Sequence, residues 1–279
     1  MKKFGLIGHP VAHSLSPALF KAAYDGKYIY DLIEGDDFEN SYRRFIDDYD
    51  AINVTAPFKE LAFKKADGFS NECKIVGAAN ILKKNTSPLY VYADNSDIAG
   101  VAEALRSAGI EENCSKKALV VGCGGAAMAA VYAIWSEFNC NTVVINRNFE
   151  KAEKFVERMK LTSPLKTQLA AAPIDEFERF FKESDIIIYT LPVAIPALED
   201  ICTGMATDNV SNHAVSSKTI LEANYRNPAF TSELLGKLRR ISPEITYVSG
   251  EEWLLQQAVG AYRSFTGEEP NIEAMRKVL

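Results

Sequence analysis

Apolar residues in this chain fall into two rhythms. Short unbroken runs, among them Ala118-Leu119-Val120-Val121, Thr142-Val143-Val144-Ile145 and Ile186-Ile187-Ile188-Tyr189, show no polar alternation. Strands buried on both faces have that pattern, and parallel sheets are built from them. Between the runs, apolar positions recur every three or four residues: Ile98, Val101, Ala102, Leu105 and Ala108, then Met128, Val131, Trp135 and Phe138, then Ala152, Phe155, Val156 and Met159. That spacing puts them on one face of a helix. Strand alternating with helix predicts a doubly wound α/β sheet for the second half of the chain.

The first half carries weaker signals of the same kind. A first strand precedes Gly8 and Pro10, a second covers Ala51–Thr55, and a third covers Leu89–Ala93. Residues 25–50, with Tyr28, Tyr30, Phe38, Tyr42 and Phe45 as anchors, hold a strand and a helix. Ser16 before Pro17 reads as a helix N-cap, Pro57 opens a helix with Lys59 in its first turn, and residues 72–79 form a short helix or turn ending at Gly77. Asp97 reads as an N-cap for the helix that Gly109 closes, and polar residues 111–117 precede the run at 118. Later elements are a helix over 125–138, a helix over 149–159 capped by Asn148, an amphipathic segment over 174–181, a strand over 219–225, a helix over 232–240, a strand over 246–248 and a C-terminal helix over 251–266.

One stretch carries chemistry on its face. The run at 118–121 empties into Gly122-Cys123-Gly124-Gly125-Ala126-Ala127, and a helix pattern follows at once. Gly122 allows a tight turn, Gly124 lets backbone approach a pyrophosphate, and Ala127 is small enough for close helix packing. The following helix turns its unpaired N–H groups and positive dipole end toward that anion.

Composition narrows the function classes. The chain has 279 residues, enough for one large domain or two ordinary ones, and its net charge is −6. An acidic balance disfavours nucleic-acid binding. Its five cysteines, Cys73, Cys114, Cys123, Cys140 and Cys202, are scattered without a CxxC, so neither a disulfide framework nor a metal site is expected. The apolar stretch at residues 4–7 is too short for a signal peptide, and no run approaches the roughly 18 residues of a membrane span. A cytoplasmic protein is the expectation.

Single polar residues are less telling. Ser14 is a hydroxyl in a loop after a strand, and Gln257 lies beside the apolar face Leu254, Ala258, Ala261, Tyr262 and Phe265. Lys59 stands where a helix start prefers an acid, so it is not there for helix stability. Each alone has an ordinary structural explanation.

Together they spell a family pattern. Gly8-His9-Pro10-Val11-Ala12-His13-Ser14-Leu15-Ser16-Pro17, Asn53-Val54-Thr55-Ala56-Pro57-Phe58-Lys59, Gly77-Ala78-Ala79-Asn80, Asp94-Asn95-Ser96-Asp97, Gly122–Ala126, Asn146-Arg147 and Gln257-Ala258 occur in order along nearly the whole chain. In these motifs the chain resembles the shikimate dehydrogenases, a shikimate/quinate dehydrogenase family. The resemblance implies two α/β domains: a substrate-binding, catalytic domain from 1–97 plus 251–279, and a Rossmann-type NADP-binding domain over 98–250, with the C-terminal helices packing back on the first. The substrate then sits in the cleft between them. The implied reaction is reversible reduction of 3-dehydroshikimate to shikimate by NADPH, in aromatic amino acid biosynthesis.

The resemblance also implies roles. Lys59 and Asp97 handle the proton; Ser14, Ser16 and Tyr225 suit the substrate carboxylate; Thr55, Asn80, Asp97 and Gln257 suit its hydroxyls. Gly122, Cys123, Gly124, Gly125, Ala126, Asn146, Arg147, Thr190, Ala223 and Gly250 would hold the cofactor, with no metal. Arg147 without an acid at the end of the second Rossmann strand favours NADP over NAD. The chain departs from the family pattern at Asn148, at Ile188-Tyr189, at Glu222 where an aspartate is usual, and at Glu252-Trp253 near the expected nicotinamide position. Alternatives are a quinate/shikimate dehydrogenase with relaxed substrate or cofactor choice, and a non-catalytic shikimate- or nucleotide-binding relative. The expected partner is a small molecule, with no nucleic acid or membrane, in a monomer or homodimer.

Overall fold

The N-terminal strand is an inner strand of a mixed sheet, next to one edge. In the computed structural model, which describes residues 2–162, 168–208 and 217–279, the chain opens β1 (Lys3–Gly8), α1 (Ser16–Ala23), β2 (Ile29–Glu34), α2 (Phe38–Asp48), β3 (Ala51–Val54), α3 (Lys59–Lys65), β4 (Gly68–Phe69), α4 (Asn71–Val76), β5 (Ile81–Thr86) and β6 (Leu89–Asp94). Their sheet order is β2-β1-β3-β5-β6-β4. β1 pairs in parallel with β2 and β3, while β5 is antiparallel to both β3 and β6. The carboxyl ends of β1 and β3 therefore deliver the 9–16 and 55–59 loops to the same edge.

Next, α5 (Asp97–Ser107) leads to β7 (Lys117–Val121), α6 (Gly125–Ala133), β8 (Asn141–Asn146), α7 (Phe149–Thr162), β9 (Leu169–Pro173), α8 (Phe177–Glu183), β10 (Ile186–Tyr189), α9 (Ala197–Asp208), β11 (Lys218–Glu222), α10 (Ser232–Ile241) and β12 (Ile245–Val248). All neighbours pair in parallel, in the order β9-β8-β7-β10-β11-β12. The strand order reverses between β7 and β10, so a crevice opens at their carboxyl ends. Leu119, Val120 and Val121 of β7 and all of β10 are fully buried, as unalternating runs require. The chain closes with α11 (Gly250–Thr266) and α12 (Ile272–Arg276).

Two units result, residues 1–100 with 254–279, and residues 101–253. Within the first, Leu255, Ala258, Tyr262, Phe265 and Met275 of the last two helices join Phe4, Leu19 and Phe20 in one core cluster. Phe265 stacks on Phe4 with ring centres 5.4 Å apart. The other face of that sheet is covered by Phe38, Phe45, Phe58 and Ala62 from α2, the β3–α3 turn and α3.

Several expected boundaries shift. The helix expected over 125–138 leaves α geometry at Ile134 and ends in a π-helical turn, Ile134–Phe138. The apolar steps of three and four through Met128, Val131, Trp135 and Phe138 read as α-helical throughout, so the pattern gives no sign of the wider turn. Segment 174–181 begins as a 3-10 turn at Ile174–Glu176 before α8. Ser16 is the first residue of α1 rather than its cap, because Ser14 Oγ takes the Ser16 N–H at 3.2 Å. Asp97 likewise does not cap α5: Asn95 Oδ1 takes its N–H at 3.0 Å, and its carboxylate is engaged elsewhere.

Three strand lysines serve the ends of helices packed on their sheets. Lys84 Nζ donates to the carbonyls of Phe45 and Ile46 in α2, and Lys83 Nζ to Ser264 O in α11 at 2.6 Å. Lys218 Nζ donates to Lys182 O and Ser184 O, each at 2.7 Å, at the end of α8. The last carbonyls of a helix lack intrahelical donors, and a cation there meets the negative dipole end. Lys218 is 1% exposed, and burial pulls its amine down to about 8 from 10.5. The folded chain thus releases this proton before the unfolded chain does. Stability relative to Lys218→Met is expected to stay level below about pH 8 and rise by about 3 kcal/mol toward pH 10.5. Urea unfolding of both proteins across that range checks it; parallel curves would refute it.

Candidate active site

In the first unit, four loops bring polar side chains together. The 9–16 loop sets the Ser14 and Ser16 hydroxyls 3.1 Å apart, and Tyr262 of α11 donates to Ser16 O at 3.0 Å. Thr55 follows β3 and donates its N–H to Ile7 O at 2.9 Å, tying its loop to the end of β1. Phe58 N donates to Thr55 O at 3.0 Å, which turns the chain into α3 and makes Lys59 its first residue. Lys59 Nζ is paired with Asp97 Oδ2. The Lys59 side chain is 21% exposed and that of Asp97 only 4%, so the lysine is the more accessible of the pair and the carboxylate is largely buried. A buried carboxylate of this kind depends on its partner.

An amide network fixes both groups. Asn95 Oδ1 holds the Asp97 N–H, and its Nδ2 donates to Ala78 O at 2.8 Å. Ala79 N donates to Lys59 O at 2.9 Å. Asn80 Oδ1 accepts from Ser96 N at 2.8 Å, and its Nδ2 donates to Gln257 Oε1 at 3.3 Å. Asn53 Nδ2 donates to Asn80 O at 3.2 Å and its Oδ1 accepts from Tyr30 at 2.8 Å. Thus Asn80, Asp97, Lys59 and Gln257 form one connected patch. Tyr225 lies in the other unit, on the loop after β11.

Asn53, Asn95, Ser96 and Tyr262 were not foreseen in these supporting roles. Asn53 did leave a trace, a polar side chain inside the apolar run of β3. Asn95 and Ser96 stand within a recognised motif, yet nothing in their spacing shows which group each would hold.

In the second unit, Gly122 has φ +115, and a Cβ there would lie 2.3 Å from Thr190 Oγ1. Thr190 Oγ1 itself donates to Val121 O at 2.8 Å, which locks the ends of β7 and β10 together. Gly124 is the N-cap of α6, with no side-chain cap, and a Cβ on it would meet nothing within 4 Å. The turn is thus close-packed behind and open in front. Cys123 lies in it, partly buried, and burial pushes its thiol up. Across the switch point, a Cβ on Gly250 would come within 2.6 Å of Ala223 O, so these two positions touch through backbone alone.

The departures from the family pattern resolve variously. Asn148 Oδ1 accepts from Lys151 N at 2.9 Å and caps α7. Tyr189 points into the core, donating to Val193 O at 2.7 Å and meeting Phe230 edge-on at 5.6 Å. Glu222 is fully buried; it accepts from Ala229 N at 2.5 Å, Phe230 N at 3.2 Å and Tyr247 at 2.9 Å. Burial pushes its carboxyl up, against those hydrogen bonds. It fastens the loop that carries Ala223 and Tyr225 to β12. Trp253 is buried in the first turn of α11. Asn146 Nδ2 donates to Asn148 O at 3.1 Å, and Arg147 is exposed beside it. Glu150 is taken by Lys154 at 2.5 Å, and Arg147 has no ion pair among the described residues. No cluster of three metal-ligating side chains occurs among those residues, nor any helix long and apolar enough to cross a membrane.

Residues 6–82 match the model of the shikimate dehydrogenase substrate binding domain, and residues 104–215 that of shikimate/quinate 5-dehydrogenase. The shikimate dehydrogenase (NADP(+)) of Nitrosopumilus maritimus is 31% identical over all of this chain and 98% of its own. The chain belongs to the shikimate dehydrogenase family. A relative of the same description in Methanopyrus kandleri is 29% identical over 99% of the chain and 93% of its own. Among solved structures, shikimate 5-dehydrogenase of Thermus thermophilus, in complex with NADP(H) and shikimate, superposes with a TM-score of 0.77 at 26% identity, covering both chains fully. The two-domain α/β architecture is that of the family, a substrate domain followed by a Rossmann-type domain.

Proposed function

We propose that this protein is an NADP-dependent shikimate dehydrogenase that reversibly reduces 3-dehydroshikimate to shikimate. The observation that carries the reading is the Lys59–Asp97 pair, a partly exposed lysine side chain on a largely buried carboxylate. It stands in a chain whose other unit ends its switch-point strands in an open glycine turn.

That turn fits a dinucleotide. The space in front of Gly124 and the uncapped start of α6 suit a pyrophosphate, and the exposed Arg147 at the end of β8 suits a 2′-phosphate. Bound there, the nicotinamide cofactor supplies or accepts the hydride. Gly122, Cys123, Gly124, Gly125 and Ala126 would line the pyrophosphate side, Asn146 and Arg147 the adenosine side, and Thr190, Ala223 and Gly250 the switch point.

The chain's own residues do the rest. As the carbonyl becomes an alcohol, its oxygen gains negative charge and needs a proton. Lys59 Nζ–H donates it, and in the reverse direction the neutral amine takes it from the hydroxyl. Asp97 orients the amine and accepts from a neighbouring substrate hydroxyl. Ser14 and Ser16, whose hydroxyls are 3.1 Å apart, offer hydrogen bonds to the carboxylate. Thr55, Asn80 and Gln257 hydrogen-bond the ring hydroxyls, so a substrate lacking one would leave polar groups unpaired.

The test is a four-way kinetic comparison of shikimate and quinate, each with NADP and NAD. The highest kcat/KM is expected for shikimate with NADP. Preference for quinate or NAD would move the chain to the relaxed branch of its family. Calorimetric binding of shikimate without turnover would make it a non-catalytic relative. A cytoplasmic monomer or homodimer with no nucleic-acid partner belongs to the same reading.

A further inference from the structure

Two of the five cysteines meet. Cys114, in the loop before β7, and Cys140, at the entry to β8, have their sulfurs 3.5 Å apart. Both thiols point at Phe138 O, from 3.9 and 3.5 Å. Among the described residues four non-glycine positions have left-handed φ: Asp25, Asn113, Ser115 and Asn139. Three of these adjoin the two cysteines, Asn113 and Ser115 on either side of Cys114 and Asn139 directly before Cys140. Phe138 also ends the π-helical turn, in which Trp135 Nε1 is buried without a partner. Asn139 is the left-handed C-cap of that turn, and so rare a winding ends two residues before Cys140; π turns occur mostly at sites with a defined role.

We infer that Cys114 and Cys140 form a built dithiol site that closes to a disulfide with small-molecule disulfide oxidants. A bond of about 2.05 Å requires the sulfurs to approach by only about 1.5 Å, within reach of the 111–116 loop. The steps balance as thiol–disulfide exchange. The Cys114 thiolate attacks one sulfur of the oxidant, forming a mixed disulfide and releasing one small thiol. Cys140 then loses its proton and attacks Cys114 Sγ, releasing the second small thiol. Two protein thiols are oxidised and one small disulfide is reduced. The order follows from access: Cys114 is partly exposed, whereas Cys140 is fully buried and its burial pushes the thiol up to about 12.

The link would staple the amino ends of β7 and β8, at the opposite end of the strands from the glycine turn. It therefore adds stability to the second unit without entering the cofactor-binding turn, and it is independent of the proposed activity. The test incubates the native protein with oxidised glutathione, then alkylates, digests and maps the peptides. A Cys114–Cys140 linked peptide is expected, with Tm raised by about 5 °C and restored by dithiothreitol. Cys114→Ser should abolish both link and shift, and Cys140→Ser should stop with glutathione on Cys114. Free Cys114, or Cys114 carrying only glutathione in the wild-type protein, overturns the site; a linked peptide without a rise in Tm overturns the staple.

Discussion

Replacing Lys59 by Met is expected to lower kcat for shikimate oxidation by about 10²–10⁴-fold, with KM for shikimate changed no more than about threefold. Methionine keeps the length and apolar stem of lysine and removes the proposed proton carrier. The loss falls on kcat because a proton on the developing oxygen matters in the transition state and hardly at all in the ground state. The substitution also strands Asp97, whose side chain is 4% exposed, as an unpaired buried carboxylate. Thermal unfolding must therefore accompany the kinetics. The companion variant Asp97→Asn keeps the amine and removes the charge proposed to orient it, so its kcat should fall as well. Folded Lys59→Met protein with kcat within about threefold of the wild type would remove Lys59 from the chemistry.

How much of this was legible beforehand depends on where each residue finds its partner. Unalternating runs identified β7, β8 and β10 because a doubly buried strand must be apolar whatever lies beside it. The glycine turn was legible for a similar reason: Gly122 is constrained by its own φ and by the approach of Thr190. By contrast, Lys218 and Glu222 sit at the two ends of one buried strand, and their partners come from α8, the 223–230 loop and β12. Nothing local distinguishes them from solvated charges. Asp97 looked like a cap because caps are local, while its actual partner, Lys59, lies 38 positions earlier. The two-residue β4 and the alanine-rich β9 carry too little pattern to be read at all. The same limit hid the Cys114–Cys140 contact: spacing excludes a CxxC, but strand order in space decides which cysteines meet.

Arg147→Ala is expected to lower kcat/KM for NADP by about 10–100-fold and to leave kcat/KM for NAD within about threefold, so that the preference between cofactors largely disappears. A charge-assisted hydrogen bond to a phosphate is worth about 1.5–3 kcal/mol, and only NADP has the 2′-phosphate to receive it. The surroundings of Arg147 leave it free for that role. Asn146 is committed to Asn148 O, Asn148 to the start of α7, and Glu150 to Lys154. No acid stands at the end of β8 to bond the ribose hydroxyls of NAD, so removing the arginine cannot by itself create an NAD site. Arg147→Lys should recover part of the loss, since it keeps the charge and gives up the planar fork. Because Arg147 is exposed, the wild-type KM for NADP should rise with ionic strength while that for NAD does not. Equal losses for both cofactors in Arg147→Ala would mean that the guanidinium shapes the turn and does not read the phosphate, and the case for NADP would then rest on the relatives alone.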